Sequence, residues 1–243
     1  MSTTTSLVSS PLLIPLGHGE GTEQTVLLPA AGGGISPYFP LAGALTGRGP
    51  VHAIRSLGLM PGEDPDADVP TMVERYLDVM NALPRPPRYL VGWSLGGVLA
   101  WELASRLADR GDAPAVIMVD SYACLAERHG SDRDDALDHI GRSMGWATAA
   151  DDPDQRERLR RTASAHLEAA YAHQASAGHT GPALLVSCTE GRGDDQLRQW
   201  AHRAPRLRVR ELGCGHFEAL DPARLPALRD HIDSFLADLA QDS

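Results

Sequence analysis

The stretch LVGWSLGGVLAWELA, residues 90–104, constrains the fold more than any other part of the chain. An apolar run reaches Gly92, turns on Trp93-Ser94-Leu95 and enters an apolar segment through Gly96 and Gly97. A strand that passes directly into a helix around one serine brings the two backbones nearly into contact. The residues two before and two after that serine must then lack bulk, which Gly92 and Gly96 provide. The pattern is Gly-x-Ser-x-Gly between a strand and a helix, a turn that holds the serine in a strained conformation with its hydroxyl raised above the sheet. The hydroxyl then lies at the positive end of the following helix, where a developing oxyanion is stabilised.

Around this turn the chain alternates apolar strands with helical segments, the pattern of an α/β fold whose mostly parallel sheet is flanked by helices. Strands are predicted over 25–29, 50–54, 88–92, 115–120, 182–188 and 207–212. Helices are predicted near 37–46, over 69–83, over 95–110 with Gly111 as the stop, and around 194–201. A final helix carries Leu225, Leu228, Ile232, Phe235 and Leu239 on one face. Between Asp120 and Pro182 the strand signal vanishes, and the interval reads as an inserted helical lid over about 121–181. Ser131 is a candidate cap for one of its helices, and Asp152 before Pro153 for another. The Ser-, Thr-, Pro- and Gly-rich residues 1–24 read as a flexible tether, leaving 25–243 as one domain.

Charge narrows the function. All 22 basic residues are arginine and are outnumbered by 32 acidic ones, for a net charge of −10, which argues against a nucleic-acid partner. The three cysteines, Cys124, Cys188 and Cys214, are odd in number and widely spaced, so neither a disulfide framework nor a zinc ribbon is expected. The N-terminus lacks a basic start followed by a long apolar run, and no apolar stretch approaches the roughly 18 residues that span a bilayer. A cytoplasmic protein without membrane attachment is the expectation.

A serine hydroxyl is a weak nucleophile until a base takes its proton, and the base needs an anion to orient it. Of the ten histidines, His216 lies in a glycine-containing loop after the last strand and is the candidate base. His52 falls inside a strand. His166 and His173 lie two turns apart on one lid segment, a spacing open to a metal but better read as packing, and no metal is expected. For the acid, Asp120 ends one strand while Asp194 and Asp195 follow another, and the chemistry alone does not choose among them. Cys214, without an elbow of its own, reads as a small packing residue.

GWSLGG (92–97), MVDSY (118–122) and GCGH (213–216) together resemble the thioesterase domains that end nonribosomal peptide and polyketide synthetases, members of the α/β-hydrolase superfamily. The resemblance runs roughly from Val26 to Leu236. It implies Asp120 as the acid and Ala31, in the loop Pro29–Gly34, as a backbone N–H donor that joins Leu95 in an oxyanion hole. It further implies a thioester substrate delivered on the phosphopantetheine of an upstream carrier domain, no cofactor of the chain's own, and release by macrocyclisation or hydrolysis. Free-standing editing thioesterases resemble GHSMG at the elbow, and this chain departs from them at Trp93 and Leu95. An editing thioesterase or small-molecule esterase is the alternative, and a silent carrier-docking module a more distant one.

Overall fold

The computed structural model describes residues 10–111, 113–128, 133–143, 152–191 and 195–241. Seven strands form one sheet: β1 (Leu13–Gly17), β2 (Thr25–Leu28), β3 (Val51–Ile54), β4 (Tyr89–Trp93), β5 (Ala115–Val119), β6 (Ala183–Cys188) and β7 (Leu207–Leu212). Their order is β1-β3-β2-β4-β5-β6-β7, with β1 antiparallel to β3 and every other pair parallel. The chain steps outward from β2 to β3 and then returns to the far side of β2 as β4. That reversal opens a crevice between the carboxyl ends of β2 and β4, where open α/β sheets bind their ligands.

Adjacent residues of the central strands enter different cores, as expected for strands covered on both faces. Leu90, Val116, Met118 and Leu185 face α2 (Val69–Met80) and α3 (Leu95–Ala108). Val91, Ile117, Val119 and Val186 face α1 (Phe39–Leu45) and the last helix. The periodic face predicted over 69–83 is the buried one: Met72, Val73, Tyr76, Leu77 and Met80 are all in the core. Asp68 caps α2 by accepting from the Thr71 N–H at 2.7 Å.

Between β5 and β6 the chain inserts α4 (Arg133–Ser143) and α5 (Pro153–Ala172). Asp152 caps α5 as expected, accepting from the Gln155 N–H at 2.9 Å with Pro153 in the first turn. The Ser131 cap and Asp194 lie outside the described residues. Ile140, Ala163 and Leu167 form a small core between the two inserted helices, against which Ala31 and Phe217 pack. The sheet is completed by α6 (Asp195–Ala201) before β7 and α7 (Leu225–Gln241) after it. Among the described residues, no helix is long and apolar enough to cross a membrane.

One expectation is corrected. The tether over 1–24 is overturned at Leu13–Gly17, which pairs with β3 as an edge strand, while Leu12 beside it is buried in the core. Pro15 hid the strand from the sequence. A proline is tolerated on an edge, where one side of the ladder has no partner, and the register slips between Pro15 and Gly17.

Candidate active site

The crevice between β2 and β4 is built around Ser94, the residue between β4 and α3, at φ 57 and ψ −124. This backbone region costs a non-glycine residue roughly 1–3 kcal/mol and persists only where its surroundings enforce it. The enforcement is steric. A Cβ on Gly92 would stand 2.0 Å from the carbonyl carbon of Gly96, and one on Gly96 would stand 2.4 Å from the Leu28 carbonyl oxygen. Gly97 is equally constrained, because its Cβ would meet the Ser121 hydroxyl at 2.0 Å.

Tyr38 braces the same turn from below. Its buried hydroxyl donates to the Leu28 carbonyl at 2.6 Å and accepts from the Trp93 N–H at 2.9 Å, tying the end of β2 to the elbow. Burial pushes this phenol well above its ordinary pKa, so it remains a donor.

Three side chains that the sequence separates meet over the sheet edge. Asp120, at the end of β5, places Oδ2 2.7 Å from His216 Nδ1, and His216 Nε2 lies 3.1 Å from Ser94 Oγ. Asp120 is 4% exposed. Burial alone would raise its pKa, but hydrogen bonds from His216, from Gln196 Nε2 at 3.1 Å and from the Cys188 N–H at 3.0 Å outweigh burial and hold it below the carboxylate range. An ionised carboxylate only accepts, so Nδ1 carries the imidazole proton and Nε2 presents its lone pair to the serine hydroxyl. That is the tautomer a general base requires.

The loop carrying His216 is held from the elbow side. Trp93 Nε1 donates to the His216 carbonyl at 3.1 Å, and the two rings lie 5.2 Å apart. Trp93 therefore supports both the turn and the loop of His216, a role carried by an unspecified position of the Gly-x-Ser-x-Gly pattern. Gln196 was invisible in the sequence. It accepts from the Ser187 hydroxyl, donates to Asp120, and lies 76 residues from it in the chain.

The remaining candidates separate. Asp195 is the first residue of α6, and the imidazole nitrogen Nδ1 is engaged by Asp120. His173 lies just beyond α5 and bonds Glu102, whereas His166 is buried with both ring nitrogens unpartnered, so the two histidines are not brought together. Among the described residues there is no group of three His, Cys, Asp or Glu side chains placed to hold a metal. His52 sits in β3 with Nδ1 2.8 Å from Gln24 Nε2. Cys214 is fully buried, its sulfur 3.7 Å from that of Cys188, and burial raises both thiols.

Above Ser94 opens a cleft of about 1100 Å³, solvent at its mouth included. Ala31 and Leu95 line it beside the serine, and the inserted helices supply Ile140 and Leu167 to its roof. Leu95 is the first residue of α3, so its N–H is one of those a helix leaves without an internal partner. His139 of α4 stacks on Phe217 at 4.5 Å, which joins the roof to the loop of His216.

The switch-point crevice, the strained serine and the parallel sheet define a hydrolase of the α/β-hydrolase fold. Thioesterase domain is the description of the family model that matches residues 23–236. The chain belongs to that family. Among its relatives, polyketide synthase GfsE of Streptomyces halstedii is 35% identical over 121 residues, or 47% of this chain and 3% of that protein. Nonribosomal peptide synthetase btyA of Aspergillus terreus is 31% identical over 103 residues, 42% of this chain and 11% of that protein. The chain thus spans a small fraction of the length of the relatives it matches. Among solved structures, the Vlm2 thioesterase domain bound with a dodecadepsipeptide superposes with a TM-score of 0.74 at 22% identity, covering 92% of this chain and 96% of that one. The NocB thioesterase domain, in covalent complex with a fluorophosphonate nocardicin G analog, gives 0.72 at 22% identity, covering 90% and 96%. These likenesses are of fold.

Proposed function

We propose that the protein releases an acyl or peptidyl chain from the phosphopantetheine thioester of a carrier domain, with Ser94 as nucleophile, His216 as base and Asp120 as its orienting acid. The observation that carries the reading is the continuous hydrogen-bonded line from Asp120 through His216 to Ser94, at 2.7 and 3.1 Å, at the floor of the cleft. In the first half-reaction His216 Nε2 takes the Ser94 proton as Oγ attacks the thioester carbonyl. The tetrahedral intermediate collapses, the C–S bond breaks, and the departing thiolate receives that proton from His216. In the second, water or a hydroxyl or amine of the bound chain gives its proton to Nε2 and attacks the ester. Ser94 then leaves and is reprotonated.

The backbone N–H groups of Ala31 and Leu95 are assigned to the oxyanion of both intermediates, where one donor is worth roughly 3 kcal/mol. Supporting this, Ala31 sits on the loop after β2, and Tyr38 fixes the end of that strand against the elbow. The inserted helices roof the acyl chain and limit water, so they govern whether an internal nucleophile or water takes the ester. Macrocyclisation is the favoured outcome.

A fluorophosphonate probe and a peptidyl-loaded carrier test the reading. Ser94 should be labelled in folded protein, and the carrier thiol should appear together with a cyclic product. Absence of both labelling and carrier unloading sinks the enzyme; linear acid alone removes only macrocyclisation. Acetyl-loaded carrier should be a poor substrate, and a preference for it would make this an editing thioesterase.

A further inference from the structure

From Ser94 the cleft follows the start of α3 as far as Val98, and Glu102 lies one turn further on at the same four-residue spacing. Val98 lines the cleft, as does His173 from the segment after α5. His173 directs Nε2 to Glu102 Oε1 at 3.0 Å, and the same oxygen accepts from the Ser176 N–H at 2.7 Å. Glu102 is 9% exposed. Burial raises its pKa, yet the bonds from His173 and Ser176 prevail and hold it below the usual carboxylate range. The cleft wall therefore carries a second imidazole, His173, backed by a carboxylate that lies eight residues of helix beyond the serine. That is about 12 Å along the axis, the reach of roughly three to four residues of extended peptide.

Fastening does not explain the pair. The segment after α5 is already tied down by Trp101 Nε1 to the Ser176 carbonyl at 2.8 Å, by the Ala175 N–H to the Ala123 carbonyl at 2.7 Å, and by Arg203 to the Ala175 carbonyl at 2.9 Å. A buried carboxylate costs free energy that such bonds avoid. Because the carboxylate only accepts, Nε2 of His173 carries its proton, and Nδ1, which has no partner among the described residues, is the nitrogen left for a ligand.

We propose that the Glu102–His173 pair is a recognition site for a hydroxyl or amine carried on the acyl chain about two helical turns from the ester carbonyl. The proposal rests on the acyl-transfer reading of Ser94 and narrows its substrate class. Chains bearing a hydrogen-bonding group at that distance are selected over wholly apolar ones, because an imidazole nitrogen that loses water to a bound chain and gains no partner is costly.

The test is a ladder of straight-chain acyl N-acetylcysteamine thioesters of increasing length, each made with a terminal methyl and with a terminal hydroxyl. In wild-type protein the methyl form should have the higher kcat/KM at most lengths. At the length that reaches His173 the order should invert, with the hydroxyl form favoured roughly tenfold, and His173→Phe should lose that inversion. The ratio compares two substrates in one preparation, so it is insensitive to a partly unfolded variant, and the wild-type ladder decides even where the variant fails to fold. Methyl preference at every length, with turnover intact, overturns the recognition site and leaves the acyl-transfer reading standing. An inversion that survives in His173→Phe overturns it too. If no thioester is cleaved and Ser94 resists fluorophosphonate, both readings fall together.

Discussion

At the scale of single residues, Asp120 is defined by what it accepts: His216 on one oxygen, Gln196 and the Cys188 N–H on the other. Asp120→Asn keeps the shape but no longer requires the proton on Nδ1. Acyl transfer should fall about 10⁴-fold, whereas Asp195→Asn should leave the rate near wild type; stopped-flow deacylation checks both, and the reverse result moves the acid. Gln196→Leu removes one donor and should lower kcat about tenfold. It also has a signature in stability. A carboxylate whose folded pKa is depressed stabilises the fold above its unfolded pKa, and that contribution disappears as pH falls through the folded pKa. With Gln196 gone the depression shrinks, so the acid-side loss in urea midpoint should be smaller and should end at higher pH than in wild type. An unchanged acid limb would mean that Gln196 does not act through Asp120.

At the scale of elements, α5 shows how local legibility and tertiary surprise coexist. Its start was readable because Asp152 and Pro153 are a local cap whose chemistry needs no distant partner. Its burial was not, because His166 is packed where only the fold brings α5 over the loop after β2: a Cβ on Gly33 would come within 3.1 Å of His166 Cε1. Burial lowers the His166 pKa to about 4, against a smaller opposing pull from Asp66. Above the ordinary histidine value, near 6.5, neither folded nor unfolded chain binds this proton, and His166 has no pH-linked effect. Between there and pH 4 only the unfolded chain binds it, so stability falls with decreasing pH by up to one proton's worth of slope, and the loss is complete below the folded pKa. His166→Leu should flatten the stability profile across that window by about one proton while leaving stability near neutrality similar or higher, as read from denaturant midpoints at a series of pH values. An unaltered slope would show that the imidazole is already protonated, or solvated, in the native chain.

At the scale of the whole molecule, the parallel sheet and the candidate site were legible because each central strand is a continuous apolar run and the elbow advertises its own steric demand. Ser94, His216 and Asp120 all sit at carboxyl ends of strands or just beyond, so the topology alone carries them to one edge. Tyr38, Gln196 and Glu102 were not legible, since each has a partner 55 to 76 residues away with no periodicity to mark it. Strand β1 was missed for a different reason: an edge strand buries little and tolerates proline, so its composition imitates a linker. That distinction is testable on the intact fold. A true tether can be removed without consequence, whereas β1 covers the otherwise open edge of β3 and is flanked by buried Leu12. Cutting the chain to begin at Glu23 should uncover unpaired backbone groups along β3, a template for pairing between molecules. Burying a leucine contributes roughly 1.5–3 kcal/mol, so the truncated protein should melt several degrees lower and aggregate on concentration, while a chain beginning at Ser10 keeps the strand and the wild-type melt. Equal melting curves for the two truncations would return residues 13–17 to the role of a linker.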